Sequence, residues 1–431
     1  MGTKIVLIGA GSAMFGLGTL GDILKSKALE CSTIVLYDIN PQALKQVEQI
    51  SQQYIQERAL PYTVAATTSR REALQGADFC IIAIEIGNRF ELWEQDWKVP
   101  LQYGIRQVFG ENGGPGGLFH SLRIIPPILD ICEDIQAVCP EAYVFSLSNP
   151  LIRICHAVHT KYPDLKYIGL CDLIGSPVDH LPTLLETPST NLAIKAGGFN
   201  HFSILVEVAY KDTGKDAYPT LREKGPAYFA KAPAYFGNIG ERRLFLEIAR
   251  RFGYFPMTTD SHIGEFISWA YDAGDNQAIL EFYDRYKKSV LTCQEPPVAR
   301  LKGTSENEFW RAVPIIEGIL TDSHQEELAV NIPNNGFIEY LPNNQVVEVP
   351  TIVDKDGVHG VRIPSYPKAF AGLLMNQVAV NDLTTEAVLT RSKEVVLQAL
   401  LVDPVVNSVR AAEEMLDTVL MLQEPYLGYI K

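Results

Sequence analysis

Five residues with useful chemistry or conformational freedom each come directly after an apolar segment that reads as a β-strand. These positions are Gly9, Asp38, Glu85, Asn149 and Cys171. In an open parallel sheet, the carboxyl ends of the strands line the binding crevice, so we expect all five to face one edge. Carboxylate, amide and thiolate groups gathered there could bind sugar hydroxyls or a metal ion. Taken singly, each residue could equally be a cap or a turn residue, as Asn149 before Pro150 illustrates.

The first of these positions lies in a glycine turn. The apolar strand 4–8 stops at Gly9-Ala10-Gly11-Ser12, which would place backbone N–H groups at a helix N-terminus, where a pyrophosphate is stabilised. The usual third glycine is replaced by Met14, and Gly16 follows two residues later. The sequence therefore predicts a dinucleotide site, although an ordinary β-α turn has the same local pattern.

Asp38 strengthens this prediction. It ends a second apolar strand, 33–37, at the spacing where a carboxylate can accept both ribose hydroxyls and repel a 2′-phosphate. We therefore expect NAD and not NADP. The predicted cofactor contacts are Gly9, Gly11, Ser12, Asp38 and Glu85.

Strand and helix patterns alternate through the first 175 residues. Strands are predicted at 4–8, 33–37, 62–66, 79–84, 142–147 and 167–170. This alternation predicts an α/β fold with a doubly wound parallel Rossmann-type sheet and right-handed crossovers. The alternation then fades, and a β-rich run at 203–210 is followed by mixed segments and C-terminal helices at 385–422. We predict a NAD-binding domain over 1–195 and a mixed α+β domain for substrate binding and oligomerisation over 196–431.

Composition excludes several classes of partner. The chain has 431 residues, a net charge of −14 and no basic run, which disfavours nucleic acid and anionic membrane surfaces. No apolar run reaches membrane-spanning length, and the N-terminus leads straight into a strand, so we expect a soluble cytoplasmic protein. Its seven scattered cysteines indicate reduced thiols.

Five short motifs, in this order and spacing, resemble those of the family 4 glycoside hydrolases. They are Gly9-Ala10-Gly11-Ser12, Gly114-Pro115-Gly116-Gly117, Ser148-Asn149-Pro150, Gly169-Leu170-Cys171 and Gly198-Phe199-Asn200-His201. Segments 331–336 and 346–357 extend the resemblance over nearly the whole chain. Segments 96–117 and 260–266 look most like those of the α-galactosidase and α-galacturonidase members. The resemblance implies an architecture similar to that of lactate and malate dehydrogenases.

It also implies hydrolysis by oxidation and elimination, an exception to two-carboxylate glycosidase chemistry. NAD⁺ would take hydride from C3 of the sugar, a base would remove the C2 proton, and the glycosidic oxygen would leave. Water would then add and the hydride would return. A cation would stabilise the charge on the C2 and C3 oxygens. The expected substrates are α-glycosides of unphosphorylated hexoses or hexuronic acids, with α-galactosides and α-galacturonides favoured.

The resemblance assigns roles to individual residues. Cys171 and His201 match the metal ligands of the family, and Mn²⁺ is the metal that the resemblance implies, whereas ligand softness alone would suggest zinc or iron. Asp172 is the candidate general acid and Asp260 the candidate base, with His262 in the same segment. Members of the family often use a tyrosine as the base, so Tyr254 and Tyr271 are more distant alternatives. The predicted substrate contacts are Asn149, Glu111 and Asn200.

Three alternatives stay open. An acid at position 172 is typical of the phospho-glycosidase branch, so the substrate could be a 6-phospho-α-glycoside, although Ser12-Ala13-Met14-Phe15 resembles the unphosphorylated-sugar members. A 2-hydroxy acid dehydrogenase could use Arg89 and Arg123 with His201 but would leave Asn149 and Cys171 unexplained. A non-catalytic NAD-binding sugar sensor is the third. We also expect a homodimer or homotetramer.

Overall fold

The computed structural model describes residues 2–11, 16–171, 175–234, 238, 240–292, 297–301, 303 and 312–431. Two of the predicted site residues, Ser12 and Asp172, lie outside the described residues. The other ten predicted site residues are described.

The strands and helices alternate along the first half of the chain and then mix. The strands are β1 (Lys4–Ile8), β2 (Thr33–Tyr37), β3 (Thr63–Thr67), β4 (Phe79–Ile82), β5 (Tyr143–Ser146), β6 (Lys166–Gly169), β7 (Leu192–Phe199), β8 (Phe202–Tyr210), β9 (Gln325–Pro333), β10 (Val346–Asp354) and β11 (Gly357–Gly360). The helices are α1 (Gly16–Lys25), α2 (Pro41–Glu57), α3 (Arg70–Leu74), α4 (Arg89–Gln102), α5 (Gly114–Val138), α6 (Leu151–Lys161), α7 (Gly175–Val178), α8 (Leu181–Leu184), α9 (Tyr218–Phe229), α10 (Arg243–Phe252), α11 (Asp260–Ile263), α12 (Ala270–Ala273), α13 (Asn276–Leu291), α14 (Pro297–Arg300), α15 (Ala312–Thr321), α16 (Lys368–Thr390), α17 (Lys393–Val402), α18 (Val409–Leu422) and α19 (Glu424–Leu427). Single 3₁₀ turns cover Ser189–Asn191 and Gly264–Phe266.

All of these strands belong to one sheet. Its order is β3-β2-β1-β4-β5-β6-β9-β10-β7-β8, and β11 pairs with β10. Strands β3 to β6 of this order pair in parallel, whereas every pair from β6 onward is antiparallel. This confirms the predicted α/β class with a parallel Rossmann-type sheet.

The two parts of the chain meet within this sheet. Strand β6 pairs with β9 at Gly169 and Asn331, so the antiparallel strands extend the parallel ones without a break. Residue 195, the predicted domain boundary, lies inside β7. The division into 1–195 and 196–431 stays a prediction.

The central strand β1 is buried on both faces, as expected of a parallel strand covered by helices on each side. Its alternate side chains enter different cores: Val6 and Ile8 join one hydrophobic cluster, and Ile5 and Leu7 join the other. A hydrophobic cluster therefore packs against each face of the sheet, and this packing holds the carboxyl ends of the strands in place. No described helix is both long and apolar enough to cross a bilayer.

Candidate active site

The glycine turn after β1 is shaped by close backbone packing. Gly9 has a φ of +85°, and a Cβ on it would lie 2.3 Å from the Ala83 carbonyl oxygen. The N–H groups of Gly9 and Ala10 both donate to the Tyr37 carbonyl oxygen, at 2.9 and 3.1 Å. Gly16 opens α1, where a Cβ would lie 2.4 Å from the Ala10 carbonyl oxygen. Gly16 thus allows the close approach of helix and turn that the third glycine of the usual pattern provides.

Asp38 lies against this turn. Its Oδ2 accepts a hydrogen bond from the Gly11 N–H at 2.8 Å, and its Oδ1 accepts one from the Asn40 N–H at 2.8 Å. A Cβ on Gly11 would lie 2.8 Å from Asp38 Oδ2, so the contact requires glycine. The structure therefore brings Gly9, Gly11 and Asp38 together at one end of β1 and β2, with the carboxylate held in a fixed orientation.

Glu85 follows β4 and points toward basic groups. Its Oε1 lies 3.4 Å from His120 Nε2, and its Oε2 lies 3.6 Å from Arg89 Nε. Burial alone would raise the pKa of Glu85, but His120 and Arg89 outweigh it and lower the pKa to about 2. The Ser148 hydroxyl accepts from the Ile84 N–H at 2.9 Å, so the exits of β4 and β5 lie side by side. This places Asn149, the residue after Ser148, near the same edge.

The thiol of Cys171 and the imidazole of His201 meet beyond the edge of the sheet. Cys171 Sγ lies 3.2 Å from His201 Nε2. Cys171 comes two residues after β6, and His201 lies in the two-residue turn between β7 and β8, where Phe199 pairs with Phe202. Burial, with a smaller effect from His262, holds the pKa of His201 well below its usual range. The imidazole is therefore neutral, as a metal ligand must be.

The donor atoms of this pair lie close enough to hydrogen-bond to each other, and a thiolate and a neutral imidazole are both common metal ligands. Across the described part of the chain, no group of three or more His, Cys, Asp or Glu side chains is arranged to hold a metal. The pair is thus a two-ligand site as far as the described residues go.

Glu111 connects this pair to the rest of the edge through His262. His262 Nε2 lies 3.9 Å from Glu111 Oε2, and the His262 ring packs edge-on against the His201 ring at 4.9 Å between centroids. Glu111 Oε1 accepts a hydrogen bond from Arg89 Nη2 at 2.7 Å. Burial lowers the pKa of His262 to about 4, although the Glu111 carboxylate opposes this shift. His262 is therefore neutral beside an acid that already has a cationic partner.

A small cleft opens beside Glu111. Its polar lining consists of three acids, two arginines and one histidine: Glu85, Asp96, Glu111, Arg89, Arg123 and His120. Arg123 Nη1 donates to Asp96 Oδ1 at 2.9 Å, and Arg89 is paired with Glu111. Each guanidinium of the lining is thus neutralised by a carboxylate. Glu85 and Glu111 were predicted from the sequence, as were His262 beside Asp260 and Arg89 for the dehydrogenase alternative. No role was predicted for His120, which no local motif marks.

Asn200 faces the protein interior. Its side chain is 2% exposed, and its Nδ2 donates to Glu348 Oε1 at 2.9 Å. It lies beside His201, as the sequence requires, but the described contact is with a buried carboxylate and not with the cleft. Its role in binding substrate stays a prediction.

Asp260 begins α11, and its carboxylate lies against the N-terminus of α10. Its side chain is fully buried, with Oδ2 accepting from the Leu244 N–H at 2.7 Å and Oδ1 accepting from the Phe245 N–H at 2.8 Å. Burial raises the pKa of Asp260 to about 7, while these amides oppose the shift. The observed contacts are those of a helix cap, and the role of base stays a prediction for this residue.

The fold and site define an α/β protein of the Rossmann class with a thiol–imidazole pair beyond the carboxyl edge of its sheet. The model of the family 4 glycosyl hydrolases matches residues 4–185, and the model of the family 4 glycosyl hydrolase C-terminal domain matches residues 196–406. The chain therefore belongs to family 4 of the glycosyl hydrolases, as the motifs predicted.

Two curated relatives extend along nearly the whole chain. An α-glucosidase of Erwinia rhapontici is 49% identical over 100% of both chains. An α-galactosidase of Bacillus subtilis is 29% identical and covers 93% of each chain.

Solved structures share the fold at lower identity. A 6-phospho-α-glucosidase from gut microorganisms, solved with NAD and Mn²⁺, has a TM-score of 0.81 at 19% identity over 98% of both chains. The malate dehydrogenase of Plasmodium falciparum with NADH has a TM-score of 0.51 at 15% identity, covering 90% of this chain and 99% of the other. These likenesses confirm the predicted architecture.

Proposed function

We propose that this chain hydrolyses α-glucosides of unphosphorylated sugars by NAD-dependent oxidation at C3 and elimination across C1 and C2. The observation that carries this proposal is the 3.2 Å approach of Cys171 Sγ to His201 Nε2, a pair that the His262 ring connects to Glu111 at the border of the cleft. When bound, NAD⁺ supplies reversible hydride acceptance and Mn²⁺ supplies Lewis-acid stabilisation of the sugar oxygens. Cys171 and His201 would hold the Mn²⁺.

The glycine turn and Asp38 would hold the dinucleotide. The turn at Gly9 and Gly11 leads along the chain to α1, whose N-terminus would favour the pyrophosphate, and Ser12 is the next residue of this segment. Asp38 Oδ1 and Oδ2 each accept one backbone amide and keep a lone pair for a ribose hydroxyl. The fixed carboxylate would repel the 2′-phosphate of NADP. Glu85 stays a proposed cofactor contact at the border of the cleft.

The charge of the cleft supports an unphosphorylated substrate. A 6-phosphate carries close to two negative charges and requires surplus cations, whereas Arg89 and Arg123 are each paired with a carboxylate. A neutral sugar avoids this conflict, since Glu111 and Asn149 can accept hydrogen bonds from hydroxyl groups. This reasoning also disfavours a uronic acid.

The sugar itself is inferred from the relatives. The α-glucosidase at 49% identity supports an α-glucoside, while the α-galactosidase at 29% identity supports an α-galactoside as the second candidate. The two sugars differ only in the orientation of one hydroxyl group. The proposal therefore moves from the α-galactosides and α-galacturonides favoured by the motifs to α-glucosides.

Proton transfer requires an acid at the leaving oxygen and a base at C2. Asp172 follows Cys171 directly and is our proposed acid. For the base, Asp260 stays our proposal because its raised pKa of about 7 suits proton transfer, although both its oxygens accept amides of α10. His262 is the second candidate, because its neutral imidazole lies between Glu111 and His201. Ser261 Oγ lies 2.9 Å from His262 Nδ1 and fixes the ring so that Nε2 faces Glu111.

The paired arginines also weigh against a 2-hydroxy acid dehydrogenase. That reaction needs an arginine free to clamp a carboxylate, and neither Arg89 nor Arg123 is free of an acid partner. A sugar sensor without turnover would need neither an acid nor a base, and Asp172 and His262 would then have no role. A homo-oligomeric state and a cytoplasmic location remain part of the proposal.

A panel of aryl glycosides tests the proposal. We expect release of p-nitrophenol from the α-glucoside when NAD⁺ and Mn²⁺ are both present, and none when either is omitted. The α-galactoside, the two uronides and the 6-phosphate esters serve as comparisons. Release that is independent of NAD⁺, or confined to a 6-phosphate ester, would overturn the proposal.

A further inference from the structure

The turn that carries His201 has an unfavourable backbone conformation. Asn200 and His201 form the whole loop between β7 and β8, and His201 has a φ of +64°. A residue with a Cβ in the left-handed region costs on the order of 1–3 kcal/mol and persists only where its surroundings hold it. Contacts from outside the turn must therefore fix His201.

Glu348 supplies such contacts from the middle of β10. Its carboxylate is 2% exposed. Oε1 accepts from Asn200 Nδ2 at 2.9 Å, and Oε2 accepts from Ser203 Oγ at 2.8 Å. These two partners stand on either side of His201 in the sequence. One buried acid thus holds both flanks of the turn.

The same carboxylate reaches the segment that carries Cys171. Asn331 Nδ2 donates to Glu348 Oε1 at 3.4 Å and to the Gly169 carbonyl oxygen at 3.2 Å. Gly169 ends β6, two residues before Cys171. It pairs with Asn331 at the one position where β6 and β9 are in register. Asn331 therefore links the carboxylate of β10 to the end of the strand that precedes the thiol.

We propose that Glu348 is a positioning residue that holds Cys171 and His201 together as two ligands of one metal ion. The inference rests on the proposed metal site. Through Asn200 it fixes the imidazole, and through Asn331 it fixes the backbone before the thiol. Neither Glu348 nor Asn331 touches the sulfur or the ring nitrogen, so their effect is on geometry and not on the ligand set.

Two substitutions at Glu348 separate this role from simple packing. Glu348→Ala removes all three contacts. Glu348→Gln keeps an oxygen for Asn200 and Asn331, which both donate to Oε1. The new amide nitrogen replaces Oε2, so the Ser203 hydroxyl must accept a hydrogen bond from it where it now donates. Asp403→Asn is the matched control, because Asp403 is an equally buried carboxylate (2% exposed). Its oxygen accepts the Val405 N–H.

The experiment titrates each full-length variant with Co²⁺ and follows the near-ultraviolet charge-transfer band of a cobalt–thiolate bond. Loss of a residue that orients a ligand typically weakens metal affinity by about 10- to 100-fold. We expect a loss of this size for Glu348→Ala and for Asn331→Ala, a loss of only a few-fold for Glu348→Gln, and none for Asp403→Asn. Thermal melts of the same samples report on folding.

The outcomes separate this inference from the proposed function. Wild-type affinity in folded Glu348→Ala or Asn331→Ala overturns the positioning role. If Glu348→Ala does not fold, the cobalt affinities of Asn331→Ala and Glu348→Gln decide whether the positioning role stands. Cobalt binding that survives Cys171→Ser overturns the proposed metal site and this inference with it. If Asp403→Asn lost as much cobalt affinity as Glu348→Ala, the loss would be a general effect of removing a buried charge, and the positioning role would again be overturned.

Discussion

Replacing Asp260 tests whether this carboxylate caps α10. Asp260→Ala would leave the N–H groups of Leu244 and Phe245 without partners in a fully buried environment. An unsatisfied buried donor costs ~1–3 kcal/mol, so the two together predict a loss of ~2–6 kcal/mol in the free energy of unfolding. Asp260→Asn keeps one acceptor oxygen and should lose about half as much.

The penalty should also depend on pH. Burial raises the pKa of Asp260 from its ordinary value of 3.8 to about 7, so folding favours the protonated form. The stability that this group contributes is complete below the lower value and is lost as the pH rises through about 7. We therefore expect Asp260→Asn to cost more at mildly acidic pH than at mildly alkaline pH.

Urea unfolding followed by circular dichroism measures these differences, with Asp272→Asn as the control. Asp272 is an exposed carboxylate, and its replacement should change stability by no more than ~0.5 kcal/mol. The capping argument is refuted if Asp260→Ala unfolds with the wild-type free energy. If Asp260→Asn keeps full stability and NAD and metal affinity but no longer exchanges the C2 proton, Asp260 is the base.

Four further predictions concern the site. Cys171→Ser should fold normally by circular dichroism but lose turnover, and the wild-type protein should lose turnover in a chelator and regain it with Mn²⁺; a fully active variant in chelator would exclude the thiol as a ligand. In equilibrium titrations, Asp38→Ala should bind NAD more weakly and prefer NAD over NADP less strongly than wild type. Equal use of NAD and NADP by the unmodified protein would contradict the repulsion of the 2′-phosphate by Asp38. Glu85→Gln should be less stable than wild type near neutral pH, and the difference in the free energy of unfolding should shrink as the pH falls from 4.5 to about 2, because folding lowers the pKa of Glu85. A difference that stays constant over this pH range in acid unfolding would argue against this effect. Hydrolysis in D₂O should place deuterium at C2 of the released sugar, and NMR of a product without that label would rule out elimination.

The sequence predicted those parts of the site that depend on short segments. The strand, turn and acid at Gly9, Gly11 and Asp38 follow one another closely, and the structure brings them together as expected. Cys171 and His201 belong to separate motifs, and it was the order of those motifs, not their local chemistry, that paired them. The alternation of strand and helix patterns along the sequence also predicted the first six strands correctly.

Other contacts depend on segments far apart in the chain. Asp260 caps a helix that begins 17 residues before it, and the sequence carried no signal for this contact with the amides of α10. Glu348 meets Asn200 across 148 residues. The insertion of β9 and β10 between β6 and β7 in the sheet creates this contact, and no local pattern specifies that order.

The single sheet limits how the molecule can admit its sugar. Enzymes built from two separate lobes often open and close about a flexible joint, but here such a joint would have to pull apart β6 and β9 at Gly169 and Asn331. That pair lies two residues from the thiol, so any swing of the lobes would separate Cys171 from His201. If the proposed site is correct, its two halves already stand in register before the sugar binds.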